Sequence, residues 1–249
     1  MKKRTIEKYN AMKLLYGWLS RNIIQPIIRE MCHYLLYELT HNVEIMTQAI
    51  SCAETSCYVI EKMNDVHIFS NRKDLIMFAL KNVNIDGYYL EFGVYEGKTI
   101  NFISDQTEQI IHGFDSFKGL PETWRSGFYK GCFCKEDGKL PVVNNNVKLH
   151  IGLFKDTLPK FIQEAKKPIA FMHVDCDLYS STKDIFDILG DRIQKGTVIL
   201  FDEYFNYPGW KNCEFKAFHE FVDNYKIEYE YLGYYSRRTQ VAIKIIGII

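Results

Sequence analysis

No uninterrupted apolar run in this 249-residue chain reaches the roughly 20 residues needed to cross a bilayer. Net charge is missing as well: 31 basic and 31 acidic side chains cancel, leaving no electrostatic footprint for a protein that lives on nucleic acid. A secretory leader is not recognisable. The N-terminus, MKKRTIEKYNAMKLLYGWLSRNIIQPIIREM, starts with basic residues but is broken by charges and by Pro26, with no apolar centre or small-residue cleavage site. Its Leu14, Leu15, Trp18 and Ile23 read as packing on the chain's own domain or on a second subunit, a route to a homo-oligomer, rather than on a membrane. Zinc-knuckle spacing is absent too. The seven cysteines are odd in number, GCFC (Cys132, Cys134) and CAETSC (Cys52, Cys57) are not CxxC, and no histidine pair lies nearby. Free thiols in a reducing, cytoplasmic compartment are expected.

What is present is the composition of a soluble globular protein, 47% hydrophobic and 25% charged, long enough for one large α/β domain with an extension. The first 85 residues read as helical, with few strand signals. SNRKDLIMFALKN is a helix that Ser70 or Asn71 can cap, with Leu75, Phe78, Ala79 and Asn82 at helical spacing. From Tyr88 the grammar changes. Short runs apolar on both faces, at 88–93, 109–114, 147–152, 169–174 and 197–201, alternate with helical patterns, as in a parallel sheet covered by helices. EYEYLGYY and TQVAIKI then read as an antiparallel hairpin. The expected fold is α/β, a Rossmann-like, doubly wound, mostly parallel sheet with an antiparallel C-terminal hairpin at 86–249, preceded by a helical extension at 1–85.

In such a sheet ligands sit beyond the carboxyl ends of the strands, and the residues there are polar. YYLEFGVYEGKTI carries Glu91, Gly93 and Gly97 as an ExGxxxG. No glycine stands at position 95, so the dinucleotide pattern fails; the phosphate-loop pattern needs glycine five positions before Gly97, where Phe92 stands, and fails as well. A ligand with an ammonium group and a ribose but no phosphate suits such a turn; a plain strand-to-helix connection is the bland alternative. Asp115 closes the next apolar run about 20 residues on, where an acidic residue can take ribose hydroxyls. HVDCDLYSST ends a strand on Asp175 and Asp177, and VILFDEYFNYPGW ends one on Asp202 and Glu203. Carboxylates gathered with no adjacent Lys or Arg are expected to repel one another, and a hard divalent cation, Mg²⁺ above others, relieves that; helix capping is the alternative for Asp177.

YYLEFGVYEGKTI, GFDSFKGLPETWR, GLFKDTLP, HVDCDLYSST and TVILFDEYFNYPGW, in that order from Gly87 to about Val241, resemble the macrocin O-methyltransferase type of class I S-adenosylmethionine-dependent methyltransferase. The resemblance implies S-adenosylmethionine as methyl donor, its methionine part at Glu91–Gly97, its ribose on Asp115, and its adenine near Ser116, Phe154 and Asp156. Similarity to catechol O-methyltransferases implies Mg²⁺ on Asp175, Asp202 and Glu203, with Asp177 in reserve, lowering the pKa of an acceptor hydroxyl. The lysine that catechol-type enzymes carry three residues after the first metal aspartate is Leu178 here. His150 is a weak candidate base, and His173 reads as a core residue. Arg125, Tyr204, Tyr207 and Trp210 are expected at the mouth for a small-molecule or glycan acceptor, the aromatics suiting a sugar ring. The rivals are a metal-independent methyl transfer to nitrogen or a macromolecule, and a non-catalytic binding or scaffold protein; an NAD-dependent oxidoreductase is disfavoured by the missing GxGxxG.

Overall fold

The structure, a computed structural model, describes residues 12–135 and 138–248; the basic start of the chain lies outside them. Two compact units divide it at residues 50 and 51. In the first, a helical stretch from residue 12 passes through a π turn at Ser20–Ile24 into α1 (Gln25–His41). Pro26, with no N–H to donate, follows directly on this π turn, where the Gln25 N–H already reaches back five residues to the Ser20 carbonyl. Asn42 leaves helical geometry, and its Oδ1 accepts the Glu44 N–H at 3.1 Å as α2 (Val43–Lys62) begins.

The second unit runs in the order β1 (His67–Phe69), α3 (Arg72–Lys81), β2 (Tyr88–Phe92), α4 (Lys98–Ser104), β3 (Ile111–Asp115), β4 (Val147–Ile151), α5 (Phe154–Glu164), β5 (Ile169–Val174), α6 (Tyr179–Leu189), β6 (Val198–Phe201), α7 (Glu214–Tyr225), β7 (Ile227–Tyr235) and β8 (Val241–Ile248). One eight-stranded sheet has the strand order β1-β7-β8-β6-β5-β2-β3-β4. It is parallel from β6 to β4, and β8 is antiparallel to β6 and β7. The central strands β5 and β6 are buried along their whole length, because helices cover both faces. Alternation splits their side chains. Met172, Val174 and Phe201 pack with Leu158, Phe186 and Phe218 on one face, and Phe171, Val198 and Leu200 pack with Leu75, Ala79 and Ile100 on the other.

Two details depart from the sequence expectation. Residues 51–85 are part of the second unit rather than outside it: β1 pairs parallel with β7, and Leu75, Ile76 and Ala79 of α3 are buried. The pattern STKDIFDILGDRI predicts a helix capped by Ser180 or Ser181 and closed by Gly196; the helix there, α6, stops at Leu189 in a 3₁₀ turn, and Ser180 gives its hydroxyl to Glu122 (2.6 Å). The Asn71 cap of α3 is present, its Oδ1 accepting the Asp74 N–H at 2.9 Å.

Candidate active site

Parallel register places the site. Phe92 is level with Phe114 on one side and Val174 on the other, and Val174 is level with Phe201. One residue further on, the Gly93 N–H donates to the Phe114 carbonyl (3.0 Å), Asp175 to Phe92 (2.9 Å) and Asp202 to Val174 (2.8 Å). Gly93, Asp115, Asp175 and Asp202 therefore line up along the carboxyl edge of the sheet. They open on a cavity of about 630 Å³, within the usual range for small-molecule sites.

Gly93 has φ +90°, and a Cβ there would run into the backbone carbonyl of Asp175. Only glycine lets the turn after β2 pass this close to the chain after β5. Gly97, the left-handed N-cap of α4, is not among the cavity-lining residues. Tyr95, where a dinucleotide site has glycine, adopts φ +47° with a full side chain. The turn is held from β3: Asp115 Oδ2 accepts the N–H groups of Val94 and Tyr95 (both 2.8 Å), and its Oδ1 accepts that of Phe117 (2.7 Å). Two N–H groups that could otherwise face a phosphate are thus used internally. Ser116, Leu153 and Phe154 complete this wall.

The opposite wall is acidic, and it holds a cation that sequence proximity did not reveal. Arg72, the first residue of α3, places Nη2 3.1 Å from Asp175 Oδ2 and also pairs with Asp202 Oδ1. Behind them His173, wholly buried, directs Nδ1 to Glu91 Oε2 (3.1 Å) and Nε2 toward Asp202 Oδ1 (3.6 Å) and Asp175 Oδ2 (4.0 Å). Burial opposes a charge on this imidazole, but Asp202 and Glu91 outweigh it and push its pKa up to about 10. Burial also opposes the charge on Asp202, yet His173 and Arg72 hold it below the usual carboxylate range. Burial, then the charge on Asp202, raises both Asp175 and Glu203 well above theirs. Glu91 is fully buried beneath the site, and its Oε1 has no hydrogen-bond partner; it reaches the cavity only through His173.

The residues present fit a divalent cation in two respects. Asp175, Asp202 and His173 bring a ligand atom each within 4.8 Å of one another, and Glu203 Oε2, on the cavity wall, is buried without a hydrogen-bond partner. Glu91 Oε2 engages His173 Nδ1 (3.1 Å), so Nε2 is the ring atom that faces the carboxylate oxygens of this group. Asp177 lines the cavity with φ +63°; burial and then Asp202 push its carboxyl up to about 7. Glu214, the first residue of α7 and fully buried, ties these loops together. Its Oε1 accepts the Cys176 and Asp177 N–H groups (3.3 and 3.2 Å), and its Oε2 accepts that of Glu203 (3.2 Å).

Several expected residues stand elsewhere. Tyr204, Tyr207 and Trp210 are 0%, 3% and 1% exposed and do not line the cavity. The loop after β6 folds inward: Tyr204 shares hydroxyl hydrogen bonds with Tyr231 (2.8 Å) and His219 (3.2 Å), Tyr207 donates to the Glu203 carbonyl (3.2 Å), and Trp210 packs edge-on against Tyr58 and Phe215. The aromatic wall comes instead from Trp124, Phe128 and Phe133, with the Arg125 guanidinium over the Trp124 and Phe128 rings (4.4 and 4.5 Å). The aromatics of TWRSGFYKGCF were the signal for it. Asp156 is exposed on α5, away from the cavity. His150 is not at the site either. Its Nε2 meets His112 Nδ1 at 2.9 Å beside a second cavity, and its ring stacks on Phe114.

Comparison with known proteins points the same way. Residues 136–232 match the family model "Macrocin-O-methyltransferase (TylF)", which takes in Asp175, Asp177, Asp202, Glu203 and Glu214. Over that region the chain is similar to the macrocin O-methyltransferases, and with the relative that follows this marks it as an S-adenosylmethionine-dependent methyltransferase. This methyltransferase is 26% identical over 182 residues to demethyldecarbamoylnovobiocin O-methyltransferase of Streptomyces niveus, covering 63% of this chain and 68% of that one. Its fold is similar to that of calicheamicin methyltransferase CalS11 (TM-score 0.55, 22% identity, 69% of this chain and 78% of that one). It is also similar to that of the O-methyltransferase NovP (TM-score 0.51, 23% identity, 70% and 77%). No helix among the described residues is long and apolar enough to cross a membrane.

Proposed function

We propose that this methyltransferase moves the methyl group of S-adenosylmethionine onto a hydroxyl of a small-molecule or sugar-bearing acceptor, with a divalent cation, Mg²⁺ foremost, on Asp175, Asp202 and Glu203. One observation carries the reading: a single cavity has the Gly93 turn and Asp115 on one wall and the carboxylate cluster on the other. The name of the Streptomyces relative, an O-methyltransferase of demethyldecarbamoylnovobiocin, supports the acceptor class.

S-adenosylmethionine, when bound, supplies an electrophilic methyl group, and a bound cation supplies charge that lowers the pKa of an acceptor hydroxyl. The chain's part is to hold and orient. The turn at Gly93–Glu96 and Asp115 offer a cradle whose Val94 and Tyr95 N–H groups are already taken, which suits a ligand without phosphate. Phe154 offers a ring face to the adenine. Trp124, Phe128 and Arg125 form the wall where an acceptor's apolar face can lie. Asp177, on the cavity wall two residues past Asp175, is the residue positioned to take the hydroxyl proton. A second reading, metal-independent transfer, has one observation in its favour: Arg72 already neutralises Asp175 and Asp202.

Calorimetric titration of metal-stripped protein tests both. Adenosyl ligands should bind and NAD⁺ should not; a Mg²⁺ heat should be present and should vanish in Asp202→Ala. Asp177→Asn should keep cofactor binding while turnover of a hydroxylated acceptor falls about 10²–10⁴-fold, the usual contribution of a general base. Failure to bind S-adenosylmethionine or S-adenosylhomocysteine would defeat the reading.

A further inference from the structure

We propose that Arg72 is an internal competitor for the divalent cation: its guanidinium closes the Asp175–Asp202 pair in the metal-free enzyme and leaves when an ion enters. This inference rests on the metal-assisted reading above. Arg72 Nη2 engages Asp175 Oδ2 and Asp202 Oδ1, the same two oxygens that face His173 at 4.0 and 3.6 Å. Mg²⁺ takes carboxylate oxygens at about 2.0–2.1 Å and Ca²⁺ at about 2.3–2.6 Å. An ion on both oxygens would lie against the guanidinium, so the two positive charges exclude each other.

A fixed structural ion pair is the ordinary alternative, and three features separate Arg72 from one. Its hold is incomplete, because its Nε is buried without a hydrogen-bond partner. It has room to move, because it lines the large cavity and its side chain is 34% exposed. Its backbone is anchored independently: Asn71 caps α3, and Leu75, Ile76 and Ala79 are buried, so the side chain can swing while the helix stays. The vacated pair would not be left to itself. Glu203 Oε2, buried on the same wall, accepts no hydrogen bond from the guanidinium or any other donor, and offers a third oxygen to an incoming ion. The arrangement keeps the buried Asp202 and the half-buried Asp175 carboxylates from facing each other uncompensated when metal is scarce. It also lowers the apparent metal affinity by the fraction of molecules in which Arg72 is closed.

Metal-stripped wild type and Arg72→Gln, titrated calorimetrically with Mg²⁺ and by electron paramagnetic resonance with Mn²⁺, decide the matter. S-adenosylhomocysteine binding serves as the check that each protein is folded. Arg72→Gln should bind both ions at least about tenfold more tightly, the effect of removing a closed state populated about 90%. Arg72→Lys, which keeps a charge but loses the fork, should fall between. In Arg72→Ala, millimolar guanidinium should weaken Mg²⁺ binding back toward the wild-type value and leave wild type unaffected. If wild type binds Mg²⁺ and Arg72→Gln binds it equally or more weakly, the competition is refuted while the metal site stands. If neither binds Mg²⁺ or Mn²⁺, the metal reading itself falls and the competition with it.

Discussion

Replacing Glu214 should loosen both loops that carry the acidic wall, and the structure sets the size of the effect. Three backbone N–H groups, those of Cys176, Asp177 and Glu203, end on its two oxygens at 3.2–3.3 Å, and the carboxyl is fully buried. A buried donor left without an acceptor costs about 1–3 kcal/mol. Glu214→Ala strands all three. Some of that cost returns, because burial and the neighbouring Asp177, Asp175 and Asp202 already strain this carboxyl and raise its pKa well above the usual range. A net loss of about 2–4 kcal/mol is expected for Glu214→Ala. Glu214→Gln keeps one oxygen for Cys176 and Asp177 and turns an NH₂ toward the Glu203 N–H, so a single donor is stranded, at about 1–2 kcal/mol. Urea unfolding followed by tryptophan fluorescence measures both, as a shift in midpoint at unchanged slope. The reasoning is refuted if Gln proves as damaging as Ala, or if both lie within about 0.5 kcal/mol of wild type, the range of ordinary surface changes.

Gly93→Ala places a Cβ on the Asp175 carbonyl at φ +90°, so S-adenosylhomocysteine affinity and thermal midpoint should fall together; retention of both would show that the turn has slack. Trp210→Ala should cost about 3–5 kcal/mol in unfolding experiments, as for a buried core aromatic; a rise in acceptor KM without loss of stability would return Trp210 to the acceptor mouth. His112 gives a pH signature. Burial, then His150 and Lys148, lowers its pKa from 6.5 to about 4. The unfolded chain therefore binds a proton between those values that the folded chain refuses. Stability contributed by this group is present above pH 6.5 and lost as pH falls toward 4. Because the ring is partly solvated, the screened loss is about 1–2 kcal/mol. His112→Phe should flatten stability over this window, and an unchanged slope would assign it to other groups.

The parallel core was legible because β2, β3, β5 and β6 are apolar on both faces, and a strand of that kind has few places to go but the middle of a covered sheet. β1 was not, since three residues, two of them exposed, carry no periodicity; only pairing with β7 makes them a strand. Asp115, Asp175, Asp177, Asp202 and Glu203 stand at or just past the carboxyl ends of apolar runs, where the chemistry of such a sheet gathers, so position alone marked them. Arg72 had no such mark, because its carboxylate partner Asp175 lies 103 residues away and reaches it only through the sheet order. His173 did leave a trace, as a lone polar residue inside the run IAFMHV. Tyr204, Tyr207 and Trp210 misled because residue type suggested a sugar platform. Chain direction decided otherwise, turning that loop beneath Tyr58 and Phe215.

The three residues of β1 also bear on how copies of this molecule behave when crowded together. They cover Gly233–Tyr235, the uncharged end of β7, while Glu228 and Glu230 sit exposed along the rest of that strand and Lys148 is exposed on β4 at the opposite margin. An open row of backbone donors and acceptors invites another chain to add a strand, and charge or a covering segment discourages it. The weak tripeptide HIF thus serves as a stopper on sheet growth. A break in it, such as Ile68→Pro, is expected to surface first as turbidity that rises with protein concentration.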